Sequence, residues 1–151
     1  MNAVNAIKRL LVLLGLSASC ALAQVPAMPL MDLTAGFHRI EAEVAFTQDM
    51  RMQGLMRRTG MAANHGMLFV FPEANTHCMW MRNTLLPLSV AFLDERGRII
   101  NVEDMEPRTE INHCAKRPAR FALEMNLGWF NAKGLTSGAA IGGIERAPAP
   151  R

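Results

Sequence analysis

After residue 23, the 151-residue chain has no apolar run approaching the ~20 residues that a bilayer-spanning helix needs, so no later membrane span is expected. It has no internal repeat and no long low-complexity tract, which leaves a single-domain reading. Paired carboxylates at a readable spacing, a phosphate-cradling glycine loop and a serine elbow are all missing, and hydrolase readings therefore have no positive support. An excess of one charge is missing as well. The full chain has 16 Lys+Arg against 13 Asp+Glu, a formal +3.

Even that small excess belongs partly to a segment expected to be discarded. Lys8 and Arg9 form a positive n-region, Leu10 to Leu16 a short apolar core, and Ala21-Leu22-Ala23 a small-residue cleavage signature, so residues 1–23 read as a secretory signal cut before Gln24. A lipoprotein signal with Cys20 acylated is the less favoured reading, because Ser17 stands where a large aliphatic residue is wanted. Cleavage removes Lys8 and Arg9 and leaves 14 basic against 13 acidic residues, a net +1. No basic stripe for nucleic acid remains. The expected location is the periplasm.

Cleavage also takes one of the three cysteines. Cys78 and Cys114 remain, 36 positions apart, an even number in an oxidising compartment, and a disulfide is favoured over two free thiols.

Residues 24–37 contain Pro26, Pro29 and Gly36 and read as a lead-in segment before a β-rich domain over residues 38–146. The last five residues, 147–151, with two prolines and no apolar periodicity, are expected to be a disordered tail. Within the domain, His38 to Thr47 alternates as a half-buried strand, and Thr47 can cap a helix from Gln48 to about Arg57. Met67 to Phe71 is a strand buried on both faces and ended by Pro72. Extended pieces follow at Cys78 to Met81 and Leu86 to Asp94. After a glycine turn at Asp94 to Gly97 come two more, Arg98 to Asp104 and Phe121 to Met125. One helical turn at Trp129 to Lys133 is stopped by Gly134. Short strands separated by turns predict a mainly β sandwich or barrel with one or two short helices.

Several motifs in series then carry a resemblance. Arg51-x-x-Gly54-Leu55-Met56-x-Arg58, Gly66-Met67-Leu68-Phe69-Val70-Phe71, Trp80-Met81-Arg82-Asn83-Thr84 with Pro87-Leu88, Asp94 to Gly97, and Leu123-Glu124 with Gly128 resemble the domain of unknown function 192 family. The resemblance implies a compact β-sandwich of jelly-roll type, usually behind a signal peptide or membrane anchor, and no established activity. The chain departs from the family pattern at Met79, where an aromatic is usual, and at Gly138-Ala139, where Gly-Asp is common.

Three constellations are candidates for chemistry. Arg58, Arg82, Asn83, Thr84 and Glu124 are polar residues set among apolar ones, able to bind a carboxylate or a hydroxyl-bearing ligand, or else to hold a turn and an Arg58–Glu124 ion pair. His77, Met79 and Met81 would share one face of a strand and form a soft donor set suited to copper(I), against the plainer reading of methionines as core filler. The dipeptides His77-Cys78 and His113-Cys114 invite zinc or thiol chemistry, but adjacent residues on a strand face apart, and the disulfide accounts for the cysteines more simply. The leading expectation is an exported, non-enzymatic accessory or binding domain. It would need no cofactor and would recognise a small polar ligand or an envelope protein. Periplasmic copper handling or a thiol–disulfide role is the alternative.

Overall fold

The computed structural model describes residues 27–151. The expected signal segment, its cleavage site and Cys20 lie outside them. Nine strands and three helical turns follow in order. They are β1 Leu30–Ala35, β2 His38–Ala45, α1 Gln48–Gln53, β3 His65–Asn75, β4 Cys78–Met79, β5 Leu88–Leu93 and β6 Ile99–Met105. Next come β7 His113–Cys114, β8 Ala119–Asn126, α2 Trp129–Ala132, β9 Ile141–Gly142 and a 3-10 turn at Ile144–Arg146. The mainly β expectation holds. No helix among the described residues is long and apolar enough to cross a membrane.

Seven strands form one sheet in the order β6-β5-β8-β3-β2-β1-β9, and β4 pairs with β7 as a separate ribbon. The sheet curls until its edges meet. Ile99 N donates to Ala139 O at 2.9 Å, Gly138 N to Ile99 O at 2.8 Å and Ile141 N to Gly97 O at 2.8 Å, which ties the start of β6 to the approach to β9. Closure of this kind satisfies edge groups that would otherwise template pairing with another chain.

Residues 24–37 were expected as a lead-in, but Leu30–Ala35 is an edge-side strand of the sheet. It pairs antiparallel with β2 from Leu30↔Glu43 to Ala35↔His38 across a Gly36-Phe37 turn. Pro29 stands just before this strand, where its missing N–H breaks no ladder bond, and its carbonyl accepts from Val44 N of β2 at 2.8 Å. The C-terminal residues 147–151, expected as a disordered tail, lie against the sheet. Arg151 N donates to Phe46 O at 2.8 Å, and the Arg51 guanidinium donates to Arg151 O at 3.3 Å. The carbonyl of Phe46, just past the end of β2, supplies an acceptor that composition alone does not reveal.

Helix α1 is shorter than its apolar spacing suggests. Thr47 caps it, its hydroxyl accepting from Met50 N at 3.2 Å, but Gly54 turns the chain away at φ 48° instead of letting the helix run to Arg57. Strand β3 is longer than expected. Pro72 sits where the β3–β8 register shifts between Val70 and Asn75, a position at which a missing N–H is tolerated.

Both faces of the curled sheet are buried, which is why all six residues of β5 are buried. One apolar layer, inside the curl, contains Leu33, Ile40, Leu68, Leu123, Met125 and Phe130. A second covers the other face with Met67, Phe69, Phe71, Val90, Phe92 and Ala122, roofed by Met50 and Leu55 from the α1 region and by Met81. The parallel β2–β3 pair requires a long crossover, and residues 46–64 supply it by passing over this second face.

Gly66 shows how closely the central strands approach. A Cβ there would lie 2.5 Å from Glu124 O and would also strike the Met125 sulfur. Since the backbone atom cannot swing aside, Gly66→Ala is expected to destabilise the protein by about 1–3 kcal/mol, as overpacking does. An unchanged urea midpoint for that variant would show that β3 and β8 have slack.

Candidate functional site

Glu124 is the anomaly of the second layer. It lies on β8 opposite Met67 of β3 and Val90 of β5, both fully buried and apolar. Only 4% of it is exposed, and among the described residues its carboxyl has no hydrogen-bond or ion-pair partner. Burial alone pushes its pKa up to about 8. At neutral pH it is therefore mainly a neutral carboxylic acid, able to donate a hydrogen bond.

The carboxyl lines a cavity of about 190 Å³ between the sheet and the loops that cover it. Phe69 and Phe71 of β3 belong to the sheet side, Gly54, Leu55 and Met56 come from the segment after α1, and Cys78, Met79 and Trp80 come from the β4 side. Thr84 adds a buried hydroxyl. Arg51 lines the cavity too, but its guanidinium donates to Phe46 O at 2.8 Å and to Val70 O at 3.0 Å and is committed to backbone carbonyls. Its charge does not neutralise Glu124, whose value burial raises with no opposing cation.

The five polar candidates separate. Thr84 and Glu124 share this cavity. Arg82 and Asn83, two and one residues before Thr84 on the same turn, line a different, shallow depression with Arg57, Leu85, Arg108 and Glu110. Arg58 goes to neither. It makes a two-pronged pair with Glu43 at 2.7 and 2.5 Å, so the expected Arg58–Glu124 ion pair is absent. The reason is the sheet. Glu43 is on β2, within reach of the segment after α1, whereas Glu124 lies beneath the cover in a central strand.

Cys78 and Cys114 stand directly opposite each other in the β4–β7 ribbon and form a disulfide. The antiparallel register sets Met79 opposite His113 and leaves His77 beside Ala115, so the two histidines do not face each other across the staple. The three soft donors have different surroundings. His77 stacks on Phe71 with ring centroids 3.7 Å apart, Met79 lines the cavity, and Met81 is fully buried in the second core layer. Strand β4 ends at Met79, so the alternation that would place Met81 beside the other two does not extend that far. Among the described residues, no group of three or more His, Cys, Asp or Glu side chains is arranged to hold a metal ion.

Sequence reasoning missed the aromatic walls and the arginines beside Arg82. Phe69 and Phe71 carry no mark that separates a cavity wall from core. A signal that could have isolated Glu124 from the other four polar candidates is its place as a lone acid between Leu123 and Met125 in an otherwise apolar strand.

Fold and cavity together define a small β domain with a hollow beside its central strands and an uncompensated acid in it. The chain belongs to the DUF192 family, described as an uncharacterized ACR, which matches over residues 31–143. Two solved structures are similar to it. One, from Sinorhizobium meliloti 1021, is named as a candidate transcription regulator and is 32% identical, with 78% of this chain and 95% of that one covered at a TM-score of 0.73. The other, a protein of unknown function from Novosphingobium aromaticivorans DSM 12444, is 28% identical, with 76% and 84% covered at a TM-score of 0.68. No curated protein matches the chain.

Proposed function

We propose that this protein is an exported, non-enzymatic binding domain that takes a small ligand into the cavity over Glu124. The observation that carries this reading is the carboxyl itself, buried in the middle of a sheet without a partner and facing a hollow. An unpaired polar group in such a place lowers stability, and groups of that kind concentrate at functional sites. A single acid with no second titratable group acting on it suits binding better than catalysis, since general acid–base work usually pairs groups of opposed character. Export is supported by the signal-like residues 1–23 and by the disulfide, a bond that persists in oxidising compartments.

The lining favours one class of ligand. A cavity of about 190 Å³ exceeds the ~150 Å³ known to admit benzene, so one small ring or a branched side chain fits. The aromatic and thioether walls favour an apolar body, and the protonated Glu124 favours a hydrogen-bond acceptor on it. A free molecule and a side chain offered by an envelope protein present the same chemistry.

Benzamide and benzylamine are suitable probes, followed by NMR shifts of the Leu55, Met79 and Trp80 side chains. At pH 6.5 benzamide is expected to bind the wild type about tenfold more tightly than it binds Glu124→Leu, the effect of one lost hydrogen bond. At pH 9 the carboxylate form should shift the preference toward the amine. Absence of saturable shifts at these residues, or equal binding by the leucine variant, would end the proposal.

A further inference from the structure

The turn that gives Thr84 to the cavity also holds three arginines around a second depression. We propose that Arg57, Arg82 and Arg108 form a binding site for a phosphate group. Arg57, Arg82, Asn83, Leu85, Arg108 and Glu110 line this depression, which shares no residue with the Glu124 cavity. Three arginines and one glutamate line it, a local positive excess in a chain otherwise nearly balanced in charge.

Backbone conformation makes this grouping unusual. Among the described residues, only three non-glycine positions have positive φ, namely Arg57 at 62°, Asn83 at 57° and Arg108 at 61°. All three line this depression. Asparagine tolerates the left-handed region, but a long side chain gains nothing from it, and glycine would adopt it with less strain. Arginine at two such positions implies that the side chain, not the turn, is what the position requires.

The backbone holds the set together. Arg57 N donates to Asn83 O at 2.9 Å and Arg108 N to Thr84 O at 3.0 Å, so both arginines hang from the same turn as Arg82. Arg82 is oriented further, lying over the Trp80 ring at 4.4 Å and donating to both Glu110 oxygens at 2.9 and 3.2 Å. Arg57 and Arg108 make no ion pair and no side-chain hydrogen bond among the described residues. A fork of guanidinium donors, two of them uncommitted, matches the oxygens of a phosphate, with Glu110 standing where an anion would compete for Arg82.

The test is calorimetric titration of the protein with inorganic phosphate, with sodium chloride holding the ionic strength constant. Arg57→Gly and Arg108→Gly are each expected to weaken binding about tenfold, as loss of a charge-assisted contact does. Both should keep or raise the melting temperature, because glycine relieves the strain. Glu110→Gln is expected to tighten binding by freeing Arg82, a gain that a purely structural role would not produce. Vesicles of phosphatidylglycerol, compared with phosphatidylcholine, identify the source. Binding to the former that phosphate displaces assigns the group to a lipid, and phosphate binding without vesicle binding assigns it to a free ion. If neither probe binds, or the glycine variants bind phosphate like the wild type, the site does not exist. None of these outcomes depends on the Glu124 cavity.

Discussion

Replacing Glu124 by glutamine is expected to abolish a pH dependence of stability worth several kcal/mol. Burial holds this carboxyl at about 8 in the folded protein against an ordinary value of 4.5, so folding takes up a proton wherever the pH lies between those values. Stability from this group is therefore complete below about 4.5, falls as the pH rises, and is lost above about 8. At ~1.4 kcal/mol per pH unit the whole effect is on the order of 4–5 kcal/mol, with about 3 kcal/mol already lost at pH 7. That is a large part of the ~5–15 kcal/mol that keeps a domain folded. Urea unfolding of wild type and Glu124→Gln at pH 5, 7 and 8.5 reads it directly. The two should be similar at pH 5, and the wild type weaker by several kcal/mol at pH 8.5. Parallel loss of stability in both proteins would mean that Glu124 is solvated in solution, and the cavity reading would lose its main support.

Removing the Cys78–Cys114 bridge should have the second largest effect. The cysteines are 36 positions apart, and the loop-closure model assigns such a bridge about 3–4 kcal/mol. The loss has a local side as well. Strands β4 and β7 are two residues each and pair only with each other, outside the seven-stranded sheet. Without the staple the flanks of that ribbon are tied by a few backbone bonds, Ala115 N to His77 O at 2.9 Å, Met81 N to Thr109 O at 3.0 Å and Arg108 N to Thr84 O at 3.0 Å, and by the Arg82–Glu110 contact. Met79 and Trp80, both in the cavity lining, follow the ribbon. Cys78→Ala with Cys114→Ala, or reduction of the wild type, is expected to lower the urea midpoint and to speed amide exchange at residues 77–81 and 109–115. Protection in β3 and β8 should fall only as far as global stability does. Unchanged exchange in the ribbon would show that packing of Met81, not the bridge, holds it.

Both effects meet in one place, because the ribbon lies beside the acid's cavity. A loosened ribbon admits water to Glu124 and lowers its proton affinity toward the ordinary carboxylate range. Reducing the disulfide should therefore weaken the pH dependence as well as the fold.

Much of this architecture was legible in the order of residues. Alternation in His38 to Ala45, the apolar run Met67 to Phe71 and the glycine turn at Gly97 correspond to observed elements, since each rests on contacts within a few positions. The misreadings have a common origin. Strand β1 looked like a lead-in because its pairing partner and its proline boundary had to be known together. The stretch from Gln48 looked like a longer helix because side-chain periodicity does not register the turn imposed at Gly54. The end of the chain looked free because its acceptor, Phe46 O, is more than a hundred positions away.

The candidate site divides along the same line. From the residues alone came the family, the mainly β class, a cysteine pair fit for a bridge, and a set of five polar residues of which Glu124 was one. Each depends on identity and local spacing. Only the tertiary structure decided that Arg58 belongs to Glu43, that Thr84 joins Glu124 while Arg82 and Asn83 join Arg57 and Arg108, and that both faces of the sheet are covered. A single turn sends neighbouring side chains into different cavities, and the partners that complete each cavity arrive from distant strands and loops. Proximity of that kind is a property of the closed sheet and its cover, and no window along the chain contains it.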